Sequence, residues 1–262
     1  MATLFTGCAF KATARKQQDM KINCTLISIP PNNLPESVLP AKNIKVPEIE
    51  GEIPGLAHLD KLLKKFNRSG DKLIAELFGP LFKGRRFSIV VIATQGIPEP
   101  YDAWTGEYKG QEAVFFNMSL WPEKDLDKAG LAVIKHEIAH VLLAELLKKT
   151  DEDNPLNLLD YITLNEGIAH FIGYPRDQAS MLSENVNRWK EAEKALENAK
   201  VMLSTPKLSN EERDSLIQKS NTGTYWGKYA AISGMFRAAN IYKIKGATGL
   251  RDCVLRGNLP LK

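Results

Sequence analysis

Apolar residues return along this chain in two rhythms, and each predicts its own kind of element. Over residues 56–66 and 72–82, Leu, Ile and Phe recur at helical spacing with polar residues between them, which predicts two amphipathic helices. Residues 86–94 read Arg-Phe-Ser-Ile-Val-Val-Ile-Ala-Thr, a β-branched run that predicts a buried strand. A second strand is expected over 113–120, after a glycine-rich stretch around 105–110. From 129 to 144 the apolar positions go nearly all the way round a helical wheel, the mark of a helix buried in a core. A further helix-like stretch over 163–174 has Glu166 near its start and Ile168, Phe171 and Ile172 around it. The polar segment 148–155 reads as the turn between them, and a connection this short favours antiparallel neighbours. Downstream, 183–203 predicts a long polar amphipathic helix whose charges form a solvated face. Ser209-Asn-Glu-Glu212 opens another helix with a capping box. A last helix is expected over 225–243, running toward Gly246 with Ile232, Met235 and Phe236 facing the core.

Before residue 49 the rhythm is lost. Residues 9–48 are first basic and then proline-rich, and they read as a tether or an extended, strand-like arm, with folding beginning near Gly51. The expected organisation is therefore a tail over 1–48 and one catalytic domain over 49–262. A chain of 262 residues buries a substantial core, and its net charge of +4 indicates neither a nucleic-acid footprint nor a membrane-binding surface. No twenty-residue apolar span, repeat, phosphate loop or zinc-finger spacing is present.

The buried helix carries the chemistry. Residues 136–140 read His-Glu-Ile-Ala-His, and four residues of helix place His136 and His140 on one face, about 6 Å apart along the axis. Two imidazoles aimed at one point suit Zn²⁺, and Glu137 stands one step round, where it can hydrogen-bond a water at the cation without being a ligand. The alternative is a pair of core histidines satisfied by backbone carbonyls. Against it, burying two imidazoles and a carboxylate without a partner costs several kcal/mol, which a bound dication removes. A catalytic zinc needs a third protein ligand. Glu166 is the candidate, with His170, four residues on and on the same helical face, as competitor. Asp160 is a weaker one and reads better as a solvated or capping acid.

His136-Glu137-x-x-His140 followed by Asn165-Glu166-Gly167-Ile168-Ala169 resembles the gluzincin, thermolysin-like zinc metallopeptidases. It is closer still to uncharacterised bacterial zinc-dependent peptidase families that pair HExxH with a Glu-Gly-x-Ala helix. The resemblance covers roughly residues 85–250 and is specific mainly at the two motifs. It implies a helix-rich α+β zincin-like fold with a small sheet upstream of the active-site helix, His136, His140 and Glu166 as zinc ligands, and Glu137 as general base. It also implies that an edge strand, here 114–118, pairs with an extended substrate. One departure is His170, standing where thermolysin-like enzymes often carry a carboxylate that orients the first histidine. By resemblance, the donor to the oxyanion comes from the stretch around 222–231, with Tyr225 first and Tyr229 second; His170 is the third choice.

The three cysteines, Cys8, Cys24 and Cys253, are too few and too scattered for a disulfide framework. Leu4-Phe-Thr-Gly-Cys8 resembles the end of a bacterial lipoprotein signal, although the basic region and most of the apolar region before it are missing. Either the true start lies upstream or the likeness is accidental. The expectation is a monomeric zinc peptidase acting on peptides or proteins outside the cytoplasm, with Cys8 a candidate lipid anchor. The alternative from another class is a catalytically silent surface lipoprotein or binding module on the same fold. An inactive relative usually loses the base or a ligand, and Glu137, both histidines and Glu166 are all present here.

Overall fold

The strand-forming runs assemble into one sheet in the computed structural model, which describes residues 19–41, 44–49, 51–148, 150–151, 153–174 and 178–261. Its strands are β1 (Lys21–Ser28), β2 (Arg86–Thr94), β3 (Ala103–Tyr108) and β4 (Gln111–Asn117). They lie in the order β1-β2-β4-β3, with β1, β2 and β4 parallel and β3 antiparallel to β4. The helices are α1 (Leu56–Ser69), α2 (Lys72–Phe78), the single turn α3 (Glu123–Asp125), α4 (Leu131–Ala144), α5 (Pro155–Ile172), α6 (Gln178–Glu184), α7 (Val186–Leu203), α8 (Asn210–Asn221) and α9 (Tyr229–Arg256). This is an α+β, helix-rich architecture with a small sheet ahead of α4.

Inner strand β2 is apolar on both faces because both faces are covered. Ile89, Val91 and Ala93 join the main core under the helices, whereas Ile92 belongs to a second cluster with Ile29, Leu34, Val38, Trp104 and Phe115. That second cluster corrects the boundary expected at residue 48. Residues 21–28 are a strand paired with β2 along its length, and the prolines that follow set two 3₁₀ turns, Pro31–Asn33 and Glu36–Val38, which press Leu34 and Val38 onto the sheet. Proline runs carry no periodicity, so burial in this arm leaves no sequence rhythm to read. The free edge of β1 is also covered: the Asn67 amide of α1 accepts from Cys24 N and donates to Cys24 O, both at 2.8 Å, which blunts an exposed strand edge.

The glycine-rich stretch belongs to a strand and a hairpin turn. Ala103–Tyr108 pairs with β4 through a two-residue turn in which Lys109 and Gly110 both have positive φ, 52° and 80°, the geometry that matches hairpin twist. As a result β4 is an inner strand, and the edge beside the helices is β3, which corrects the expectation for 114–118.

Helix α4 enters through a wide π-type turn over Leu126–Gly130 and buries Ile134, Ile138, Val141, Leu142 and Leu143. Helix α5 starts at Pro155 with the Asn154 side chain accepting from Leu156 N and Asn157 N, so Glu166 sits well inside it and not near its start. The predicted helix over 183–203 is broken at Asn185 into α6 and α7, and α9 begins after a 3₁₀ turn at Tyr225–Gly227 and continues past a kink at Gly246. The charges of α7 are not all solvated: Glu193 takes both a 2.8 Å and a 2.7 Å bond from Arg237 of α9. Ser209 and Glu212 form the expected capping box.

Helices α5 and α9 touch backbone to backbone. A Cβ built on Gly167 would lie 2.5 Å from Gly234 Cα, and one built on Gly234 would overlap the Thr163 carbonyl oxygen. Since neither obstacle is a flexible side chain, Gly234→Ala must push the helices apart. The expected loss is about 3 kcal/mol, at the upper end for overpacking, or roughly 6–12 °C in a thermal melt followed by circular dichroism. A variant melting within a degree of wild type would show that the contact is not needed.

Cys24 and Cys253 are free, buried thiols, so no bridge joins them. The Leu4–Cys8 stretch lies outside the described residues. Among the described residues no helix is long and apolar enough to cross a membrane.

Candidate metal centre

His136 and His140 are carried on the cleft side of α4, and one turn of helix brings their Nε2 atoms to 2.9 Å. Packed alongside, α5 places Glu166 so that its Oε2 lies 3.6 Å from each of them. The cleft that exposes this group has a volume of about 710 Å³. One wall is β3, a second is the N-terminal segment around Ser37–Pro40, and the far side is formed by Asn221, Tyr225 and Lys228.

These three donors fit a zinc ion. Ligands about 2.0–2.1 Å from a tetrahedral centre stand about 3.4 Å from one another, and the observed separations of 2.9, 3.6 and 3.6 Å bracket that value. Among the described residues, His136, His140 and Glu166 are the group of His, Cys, Asp or Glu side chains disposed to hold a metal. His140 is also held in the tautomer a ligand needs. Its Nδ1 donates to Asn165 Oδ1 at 3.1 Å, so Nε2 is the nitrogen that gives up its proton and offers a lone pair when a cation binds.

Glu137 is buried, with Oε1 4.0 Å from His136 Nε2, beside the donor group and not part of it. Burial pushes its carboxyl up to about 7, further raised by Glu166 and Asp102 and opposed by His140. Burial also drives His136 well below its usual value, helped by His170 and His140. His140 goes the other way: burial works against its charge, but the Glu166 carboxylate lifts it to about 9. Glu166, despite a burial that raises it, is held well below the carboxylate range by His140, His170 and His136. Without a cation, the centre therefore keeps its carboxylate charge by borrowing protonated imidazole.

The other expected residues divide. His170 is buried against His136, ring centroids 4.5 Å apart, but its Nδ1 bonds the Glu166 carbonyl of its own helix at 3.0 Å and does not join the donor triangle. Tyr225 lines the cleft, 5.6 Å from the His170 ring, and its hydroxyl points to Met235 Sδ at 3.5 Å. Tyr229 is a correction: its hydroxyl donates to the Leu216 carbonyl at 2.7 Å, bolting α8 to α9, and it packs in a satellite cluster away from the cleft. Asp160 pairs with Lys200 and, as expected of a solvated acid, stays outside the centre. Sequence reasoning missed Asn165 as a partner of His140, although it immediately precedes Glu166 and a helix places it near the same face. It also missed Lys228, and it missed Asn221, which donates to Glu166 Oε1 at 2.9 Å and for which no local signal exists.

Residues 93–260, more than half of the chain, match the model of a family described as "Putative zinc dependent peptidase (DUF5700)". No curated protein and no solved structure matches the chain.

Proposed function

The chain belongs to this zinc-dependent peptidase family, and from that premise we propose that it hydrolyses peptide bonds by the gluzincin scheme, with His136, His140 and Glu166 as ligands and Glu137 as general base. The observation that carries the reading is the triangle of donors from α4 and α5 with the buried Glu137 carboxylate directly beside it.

His136, His140 and Glu166 would hold the zinc ion, which would supply Lewis acidity for the scissile carbonyl and lower the pKa of the attacking water. The rest is the work of this chain's own side chains. Glu137 takes a proton from the attacking water and returns it to the leaving amine; a carboxyl pushed up to about 7 by burial has the affinity for both transfers. No covalent intermediate is needed. The extended substrate would pair with the outer edge of β3, whose residues Ala103 to Gly106 line the cleft, a form of strand addition. Donors to the oxyanion would come from the wall opposite, where Tyr225 and His170 face the cleft.

Stripping the purified protein with a chelator tests the scheme. Cleavage of an unfolded protein such as reduced casein should vanish with the metal and return on adding about one equivalent of zinc per chain. Undiminished cleavage by protein shown by elemental analysis to be metal-free would sink it.

A further inference from the structure

Glu166 has two carboxylate oxygens and the structure treats them differently. Oε2 faces the imidazoles of His136 and His140 at 3.6 Å, with His170 Nδ1 at 3.5 Å behind it, while Oε1 accepts the Asn221 amide N–H at 2.9 Å. We propose that Asn221 is a positioning residue that keeps Glu166 a one-oxygen ligand, so that a coordination place stays open for water. The inference rests on the zinc reading above.

Three features of the fold support it. First, Asn221 is held in place: it is the last residue of α8, whose end is closed by Thr222, with both its N–H and its hydroxyl donating to the Gln218 carbonyl at 2.9 and 2.8 Å. Second, the same helix end is tied to α9 by the Tyr229 hydroxyl on Leu216 O. Third, the orientation of the amide is set by chemistry and is unfavourable elsewhere. The reverse orientation would set its oxygen against a carboxylate oxygen. The observed one leaves Asn221 Oδ1 buried without a partner among the described residues. A residue serving only to pack here would be better apolar. An amide that tolerates a stranded oxygen in order to donate to a ligand is doing something for that ligand.

The chemical consequence follows from the carboxylate itself. With Oε1 free, both oxygens can swing onto one cation, and a tetrahedral site with three protein ligands loses the place it keeps for water. An amide donor blocks this without adding charge, whereas an ionised acid at the same position would repel Glu166.

Asn221→Leu is the discriminating variant, because it keeps the branched shape and number of side-chain heavy atoms while removing the unpartnered oxygen together with the donor. Its metal-free form should still melt cooperatively, a few degrees below wild type, because the Glu166 carboxylate loses a donor. Zinc affinity, measured by competition with a chromogenic chelator, should fall about 10- to 100-fold, the range for loss of an outer hydrogen bond to a ligand. In the Co²⁺-substituted protein the visible absorption should shift and change intensity, as a second carboxylate oxygen takes the place of water. Asn221→Ala should show the same two changes. Zinc affinity within twofold of wild type, with an unaltered Co²⁺ spectrum, would overturn the role of Asn221. If the wild type itself takes up no zinc, the failure lies with the metal site and not with Asn221.

Discussion

Glu137→Gln should leave zinc bound and the fold intact while lowering kcat on an unfolded protein substrate by about 10³-fold, or roughly 4 kcal/mol of transition-state stabilisation. The retained metal follows from geometry. Glu137 Oε1 stands 4.0 Å from His136 Nε2, and the donor triangle closes without it. The retained fold follows from shape, since Gln replaces Glu atom for atom in a site that already favours the neutral carboxyl, pushed up to about 7 by burial. What the amide cannot do is accept the water's proton. Zinc content by elemental analysis, a thermal melt and the cleavage rate belong in one experiment. A variant that keeps a tenth or more of the wild-type rate would take the base role from Glu137. A wild-type protein that loads zinc but cleaves nothing would favour the silent binding module, which shares the ligands but needs no base.

Glu166→Ala carries the second large effect: zinc affinity should drop by well over about 100-fold, more than the loss of any outer-shell partner, because a ligand and its charge go together. Two imidazoles on one helix turn remain, and they have no anion to balance a dication. The same substitution has a signature in the metal-free protein. There the Glu166 charge lifts His140 from 6.5 to about 9. A histidine raised on folding adds stability that is fully present below pH 6.5 and lost as pH rises through about 9. The gap in melting temperature between metal-free wild type and Glu166→Ala should therefore be widest near pH 6 and narrow toward pH 9. A constant gap would mean that the carboxylate and His140 are not coupled in the folded state.

Much of this centre was legible before any coordinates. Two histidines four residues apart inside an apolar helix are a local pattern, and a helix converts that spacing into a shared face whatever surrounds it. Glu166 was legible for a weaker reason, that a short polar turn returns a second apolar helix to the first. The capping box at Ser209 and strand β2 belong to the same class, because the residues that specify them lie next to one another.

Elsewhere the local signal was absent or misleading. The proline-rich arm read equally as a tether or an extended, strand-like arm because its buried residues, Leu34 and Val38, obey no period, yet they seal one face of the sheet. Strand β3 was hidden by its glycine and its polar residues, which an edge strand tolerates, and so the edge was assigned to β4. Tyr229 looked like a cleft residue because it opens a helix beside Tyr225, but the 3₁₀ turn between them sends the two side chains to different places.

By itself, then, the order of residues along the chain determined that His136, Glu137 and His140 share one stretch of buried helix, since that depends on neighbours within one or two helical turns. Only the tertiary structure decided which oxygen of Glu166 faces the imidazoles, which strand forms the edge along the cleft, and that Asn221, fifty-five residues further on, donates to the other Glu166 oxygen. Those outcomes depend on how closely α5 and α9 can approach at Gly167 and Gly234 and on which faces the sheet must cover. They are set by packing across the whole core, which no short stretch of sequence contains.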